Sequence, residues 1–375
     1  MGPDAAELDR RARALLRPEV YDYYAGGSGR EATLRANEKA WRRVWLRPRI
    51  LRDVSTVDTT VQLPTGGAGR LRTPPLRTPL AVAPMAFHGL AHPDGELATA
   101  AGAARAGALY VLSTRSSRRI EDVAAAVSGA GGTWWFQVYL MRDRELTAGL
   151  VRRAAAAGAE ALVLTADTAV VGRKREHGDD LVSDTDFLVN LGQLADLRAA
   201  EPASDLTFAD IGWLAEVSGG LPVVVKGVLR ADDAAACMAR GAAGVIVSNH
   251  GGRQLDGALP TAWALPEVAA ADGTIWVSVD GGVRSGEDAL AALAFGARLV
   301  FLGRPVLWAL TCGGADGVQA LLEGLTDDLA HAMALAGAAR LAELAGLAVA
   351  ARPGDSGPRT RSPLPGAHPR HTVEW

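Results

Sequence analysis

Eight short apolar runs recur along this chain at nearly regular intervals, and most of them end on a polar or special residue. They fall at residues 80–83, 109–112, 134–139, 161–164, 222–225, 244–247, 275–279 and 299–302. The run at 244–247, Gly-Val-Ile-Val, is β-branched and does not alternate, which reads as a strand buried on both faces. Alanine-rich stretches with helical spacing lie between the runs, at 96–106, 120–127, 146–157, 232–239 and 287–295. Eight strands alternating with helices is the pattern of an α/β protein of the (β/α)8 TIM-barrel class, with an open doubly wound sheet as the competing arrangement.

The spacing places one insertion. With Pro84, Thr114, Tyr139, Asp167, Lys226, His250, Asp280 and Gly303 as strand-end markers, the steps are 30, 25, 28, 59, 24, 30 and 23 residues. The long step predicts an extended loop after the fourth strand, over 168–208. Such a loop at a barrel's C-terminal face is a lid, a binding loop or a tolerated insertion. Ahead of the barrel, Leu8, Leu15 and Leu16 suggest an N-terminal helical segment, and 41–79 reads as short strands and turns wrapping something larger. The expected organisation is one domain over 1–350, with the barrel proper at 80–325 and a flexible tail at 351–375.

Composition excludes several function classes. The net charge of -3, with both signs interspersed, offers no basic stripe for nucleic acid. Cys237 and Cys312 lie far apart and outside any Cys/His cluster, so neither a metal centre nor a disulfide framework is expected. No run approaches the ~18 apolar residues of a membrane span. The N-terminus, with Asp4, Glu7, Asp9, Arg10 and Arg11, lacks a signal-peptide core, so a cytoplasmic protein is expected.

The polar strand ends carry the functional argument. In a barrel, Ser113, Gln137, Tyr139, Thr165, Asp167, Lys226, Ser248, His250, Asp280 and Arg304 would converge on one rim, where active sites of this fold lie. The stretch Ser248-Asn249-His250-Gly251-Gly252-Arg253-Gln254 puts an imidazole and a guanidinium beside two glycines. Those glycines permit a sharp turn or close backbone approach, and arginine suits a carboxylate or phosphate. After the seventh and eighth strands, Asp280-Gly281-Gly282-Val283-Arg284 and Gly303-Arg304-Pro305 each precede a helix. That is where these barrels commonly hold a phosphate. Histidine is the natural base near neutral pH, and Asp167, if within reach, would fix its tautomer. The residues read as proton abstraction next to a carboxylate, with Lys226 stabilising negative charge on a phosphorylated cofactor. Tyr21, Tyr23 and Tyr24, followed by glycines, read on their own as a packed helix end.

From Tyr21 to residue 345 the chain resembles the FMN-dependent 2-hydroxy acid oxidases and dehydrogenases, a family that includes glycolate oxidase, lactate oxidase and monooxygenase, mandelate dehydrogenase and 4-hydroxymandelate oxidase, so that dehydrogenase and monooxygenase activities stand as alternatives to oxidase. The resemblance rests on residues 248–256, on the two glycine-arginine loops, on Pro84 with 91–96, on 136–139, on 164–168, and on Lys226-Gly227. It implies FMN as cofactor and oxidation of an L-2-hydroxy acid to the 2-oxo acid, with O2 as acceptor. His250 would be the base, supported by Asp167. Arg253 and Tyr23 would bind the substrate carboxylate, and Tyr139 would contact its hydroxyl. Lys226 would sit by the pyrimidine edge of the flavin. Ser113, Gln137, Thr165, Ser248 and the backbone of Pro84, Met85 and Ala86 would hold the isoalloxazine and ribityl parts. Asp280, Gly281, Gly282, Val283, Arg284, Gly303 and Arg304 would hold the ribityl and phosphate. Relatives are often homotetramers.

Two positions depart from the family. Several relatives carry tryptophan where this chain has Arg115, which implies a more polar pocket. Many carry a second carboxylate-binding arginine where this chain has Lys174, flanked by Arg173 and Arg175; lysine supplies charge but not the bidentate fork. The acidic loop with Asp179, Asp180, Asp184 and Asp186 does not resemble a membrane-binding insertion. A redox-neutral barrel isomerase or lyase, and a flavin-binding protein without turnover, are the rival readings.

Overall fold

A computed structural model describes residues 4–63, 71, 73–173, 189–191, 197–271 and 276–350. Eight parallel strands close into a barrel: β1 (Leu80–Val82), β2 (Leu109–Leu112), β3 (Trp134–Val138), β4 (Leu162–Thr165), β5 (Val223–Val228), β6 (Gly244–Val247), β7 (Val277–Val279) and β8 (Val300–Leu302). Each pairs with its neighbours in sequence, and β8 closes on β1 with Leu80 opposite Val300. The closed barrel removes the doubly wound alternative. Residues 174–188 and 192–196 of the loop expected over 168–208, with Lys174, Arg175, Asp179, Asp180, Asp184 and Asp186, lie outside the described residues, as does the 351–375 tail.

The two-residue period of a strand divides these segments between two cores. Ala81, Leu109, Val111, Trp135, Val163, Val224, Ile246 and Phe301 point inward and form the barrel filling. Leu80, Val82, Tyr110, Leu112, Phe136, Leu162, Leu164, Val225 and Val247 point outward against the helices. Both faces are apolar, which is why the runs do not alternate. The segment expected to wrap something larger closes the bottom of the barrel. Val61 pairs antiparallel with Leu76, and Leu63, Leu71 and Leu76 pack into the inner core with Trp276.

Three N-terminal helices, α1 (Ala5–Leu15), α2 (Pro18–Ala25) and α3 (Ala32–Trp41), precede the barrel, and α3 packs beside the loop after β6. Asp256 accepts from the backbone N–H groups of Arg30 (2.8 Å) and Thr33 (3.0 Å), satisfying donors that the start of α3 leaves open. Asn37 and Asn249 exchange amide hydrogen bonds at 2.9 and 2.7 Å, and the Trp41 indole donates to the Gly281 carbonyl at 2.8 Å. At the end of α2 the open carbonyls are taken up by two arginines. Arg253 Nη1 donates to Tyr23 (2.7 Å) and Gly26 (2.9 Å), and Arg304 donates to Tyr24 (2.9 Å) and Gly26 (3.0 Å). Cations belong at a helix C-terminus. The same two side chains hold Tyr23 over the barrel rim.

Candidate active site

The inward phase of each strand continues past its end. Ser113, Gln137, Thr165, Lys226, Ser248 and Asp280 stand two residues beyond inward apolar positions or in phase with them, and all are buried. Ser113 Oγ and the Thr114 N–H both donate to Gln137 Oε1 at 3.1 Å, and Gln137 Nε2 donates to Thr165 Oγ1 at 2.9 Å. Lys226 Nζ pairs with Asp280 Oδ2 at 2.9 Å and donates to Ser248 Oγ at 2.8 Å. Burial favours a neutral lysine, but Asp280 and Asp167 outweigh it and hold the ammonium above its ordinary value. Lys226 was expected at a strand end; it lies inside β5, where a register shift and Gly227 turn the ladder. Gly227 has φ 108°, and a Cβ there would come within 2.6 Å of the Asp167 Cβ. Only glycine lets Asp167 pack against this strand.

Two residues further along the chain stand Arg115, Tyr139, Asp167 and His250. His250 Nδ1 lies 2.9 Å from Asp167 Oδ1, which also accepts from Thr168 Oγ1 at 3.1 Å. The His250 backbone is left-handed at φ 58°, a conformation costing about 1–2 kcal/mol for a side-chain-bearing residue. It is held there by the Asp167 contact and by its N–H, which donates to Ser248 Oγ at 3.0 Å. Burial alone would raise the Asp167 carboxyl, but His250, Lys226 and Thr168 hold it below the usual carboxylate range. The folded state therefore favours ionised Asp167. That stability is present above about pH 4 and is lost as pH falls through the lower folded value. Denaturation midpoints measured from pH 6 to pH 3 should fall less steeply in Asp167→Asn than in the wild type; equal acid limbs would remove the Asp167 pairing from the account.

A cleft of about 1210 Å3, open mouth included, occupies this end of the barrel, and each strand or the segment just after it supplies part of the wall. Of the residues singled out in the sequence, Tyr23, Pro84, Met85, Ala86, Ser113, Tyr139, Lys226, His250, Arg253, Asp280, Gly281, Gly282, Val283, Arg284, Gly303 and Arg304 line it. Gln137, Thr165, Ser248 and Asp167 are not part of that wall and serve the residues that are. Burial raises the Tyr139 phenol, with Arg115 and Lys226 pulling the other way, so it keeps its proton and can donate. The Arg253 guanidinium lies 5.2 Å from the Tyr23 ring centroid.

Further along the cleft wall stand Arg284 and Arg304, with Arg253 near enough to Arg304 to repel it. Arg284 pairs with Glu38 of α3 at 2.8 Å. Burial, reinforced by Arg253 and Arg284, pulls the Arg304 guanidinium down to about 9. Arginine keeps its proton at neutral pH, so an anion bound beside it would relieve the repulsion. Asp280 Oδ1 is buried and lacks a partner among the described residues, an acceptor suited to a hydroxyl donor. Cations for a phosphate and an acceptor for a polyol fit a flavin mononucleotide. One glycine of this loop also has a packing role. At φ 88°, a Cβ on Gly282 would lie 2.6 Å from the Asn37 carbonyl carbon, so α3 requires the glycine.

Sequence reasoning missed the ties that fix the base. Gln254 Nε2 donates to the carbonyls of Asp167 (2.6 Å) and Val170 (3.2 Å), and its Oε1 accepts from Gly172 N at 2.9 Å. It clamps the loop after β4 to the loop after β6. Arg173, one of three candidates for a second carboxylate ligand, is exposed, and its carbonyl accepts from Gly29 N at 3.1 Å.

The family model for FMN-dependent dehydrogenase matches residues 12–351. An L-lactate oxidase from Nostoc sp. is 44% identical over 356 residues, covering 90% of this chain and 95% of that protein. A 4-hydroxymandelate oxidase from Amycolatopsis orientalis is 44% identical over 346 residues, covering 88% and 94%. The crystal structure of a mandelate oxidase superposes with a TM-score of 0.82 at 41% identity, covering 91% of this chain and 96% of that one. The chain, whose barrel rim gathers His250, Asp167 and Lys226 and which the family model matches over residues 12–351, belongs to the FMN-dependent dehydrogenase family.

Proposed function

We propose that this protein oxidises an L-2-hydroxy acid to the corresponding 2-oxo acid and passes the electrons to O2. The observation that carries the reading is the His250–Asp167 contact at 2.9 Å, set in one cleft with Arg253, Tyr23 and Tyr139. Arg284, Arg304 and the 280–284 loop would hold the phosphate and ribityl of FMN. Ser113 and the backbone of 84–86 would hold its ring system, positioned from behind by Gln137, Thr165 and Ser248. Bound FMN supplies the acceptor for the two electrons that leave the substrate.

The chain's own groups divide the remaining work. Among the described residues only Nη1 of Arg253 is engaged, which leaves its other nitrogens for the substrate carboxylate beside Tyr23. Tyr139 donates to the substrate oxygen. With Nδ1 turned to Asp167, His250 offers Nε2 to the cleft and takes a proton there. The Asp167 carboxylate stabilises the imidazolium that results. Lys226, kept cationic by Asp280 and Asp167, favours an electron-rich neighbour.

The relatives named as oxidases favour this reading over a redox-neutral isomerase or lyase. Ala86 is a small residue on the cleft wall, consistent with access for O2. The same reading takes the protein to be a cytoplasmic homotetramer; among the described residues no helix is long and apolar enough to cross a membrane. Aerobic turnover of a 2-hydroxy acid should consume one O2 and yield one H2O2 per 2-oxo acid, measured by an oxygen electrode with a peroxidase-coupled assay. Turnover that requires an added dye and leaves O2 untouched would make the protein a dehydrogenase instead.

A further inference from the structure

The guanidinium of Arg304, assigned above to the cofactor phosphate, has most of its donors turned elsewhere. An arginine carries five N–H groups. Three of those on Arg304 go to main-chain carbonyls: Nε to Tyr24 at 2.9 Å, Nη2 to Gly26 at 3.0 Å and Nη1 to Gly251 at 3.0 Å. The first two carbonyls lie at the end of the helix that carries Tyr23, and the third lies one residue past His250. One planar group therefore touches both halves of the substrate site. The two remaining N–H groups, one on each Nη, have no acceptor among the described residues and are left for an anion in the cleft that Arg304 lines.

Both segments need such a hold. The Gly26 carbonyl also accepts from Arg253 Nη1 at 2.9 Å, so two guanidinium groups that repel each other share one acceptor. On the other side, His250 and Gly251 are both left-handed, at φ 58° and 63°, and a Cβ on Gly251 would lie 2.9 Å from Arg304 Nη1. The turn is thus packed directly against the guanidinium. Ser28 N–H donates to the Gly252 carbonyl at 2.9 Å, which brings the two segments together. Arg304 adds three charge-assisted hydrogen bonds, the stronger kind, and their loss would free a helix end and a strained turn at once.

We propose that Arg304 is a positioning residue for substrate recognition: it locks the Tyr23-bearing end of α2 to the His250 turn, so the group facing the cofactor's phosphate also sets the substrate half of the cleft. The proposal rests on the oxidase reading above for the identity of the substrate. The test uses FMN-saturated holoenzyme with Arg304→Lys and Arg304→Met. Lysine keeps a charge for the phosphate, but its single nitrogen cannot span three carbonyls as the planar fork does; methionine loses both. Affinity for 2-oxo acids, read from the flavin spectrum, should fall roughly 3- to 30-fold in both variants, the range for a change acting through packed neighbours. FMN affinity should stay within a few-fold of wild type in Arg304→Lys and fall further in Arg304→Met. Amide hydrogen exchange should quicken at 26–28 and 250–253, where the N–H groups of Gly26, Ser28, Gly252 and Arg253 are hydrogen-bonded, and not in the barrel strands. Should Arg304→Met fail to fold, Arg304→Lys decides. Weaker FMN binding with 2-oxo acid affinity and exchange unchanged would leave Arg304 a phosphate ligand alone and overturn the proposal, as would exchange that quickens throughout the chain. If no 2-hydroxy or 2-oxo acid affects the flavin, the oxidase reading fails, and exchange at the two segments still decides for or against Arg304.

Discussion

The His250→Gln protein is expected to stay yellow and to lose substrate-driven flavin reduction by roughly 10²–10⁴-fold, the usual contribution of a positioned general base. Glutamine keeps a polar side chain of similar reach but cannot take up a proton at this position. His250 is placed on the substrate side of the cleft, and the proposed phosphate site is made by Arg284 and Arg304, so FMN content is the internal control. Stopped-flow mixing without oxygen isolates the step from reoxidation. A variant reduced within a few-fold of the wild-type rate would remove the imidazole from the chemistry. Asp167→Asn should fall in the same direction, because Nδ1, 2.9 Å from Oδ1, would lose the carboxylate charge that fixes the tautomer and stabilises the imidazolium.

The second large effect is expected at Arg253. Truncating one partner of a buried charged pair costs about 2–5 kcal/mol, or roughly 30- to 4000-fold in affinity. Arg253→Met should therefore raise KM for the 2-hydroxy acid by an amount in that range. The side chain has a second task, since its Nη1 holds the carbonyls of Tyr23 and Gly26 at the end of α2. Arg253→Lys separates the two tasks: it restores the charge but not the fork. Partial recovery of KM with lysine assigns the loss to carboxylate binding. A kcat loss without a KM change would instead assign it to Tyr23 and the helix it ends.

Much of this molecule was legible in its sequence because a barrel writes its architecture locally. Most strands are short apolar runs, and most rim residues stand at or just past a strand's end, so His250 and Asp280 could be placed by counting, whereas Lys226 lies inside β5. The same count held further information: Ser113, Gln137, Thr165 and Ser248 share the inward phase, and Arg115, Tyr139, Asp167 and His250 follow two residues on. What the sequence hid are contacts between residues far apart in the chain. Asn37 with Asn249, Glu38 with Arg284, and the arginines at the end of α2 leave no local pattern. Nor did the glycines declare their reasons: Gly227 makes room for Asp167, and Gly282 makes room for α3.

Tyr23 shows the limit most clearly. On its own it reads as a packed tyrosine near a helix end, and part of that reading is true, since its ring lies 6.2 Å from Phe87 and 5.2 Å from Tyr24. Its place on the cleft wall follows from two arginines, more than two hundred residues away in sequence, that bind the carbonyls around it.

The central claim is that one cleft brings a His250–Asp167 base and a carboxylate-binding Arg253 to a substrate beside bound FMN. The most direct measurement is anaerobic titration of the purified yellow protein with enantiomerically pure L-2-hydroxy acids, followed by flavin absorbance and assay of the 2-oxo acid. The account predicts complete bleaching with one equivalent of 2-oxo acid per flavin, and none with the D-enantiomer. Flavin absorbance that stays unchanged across the whole panel would contradict it.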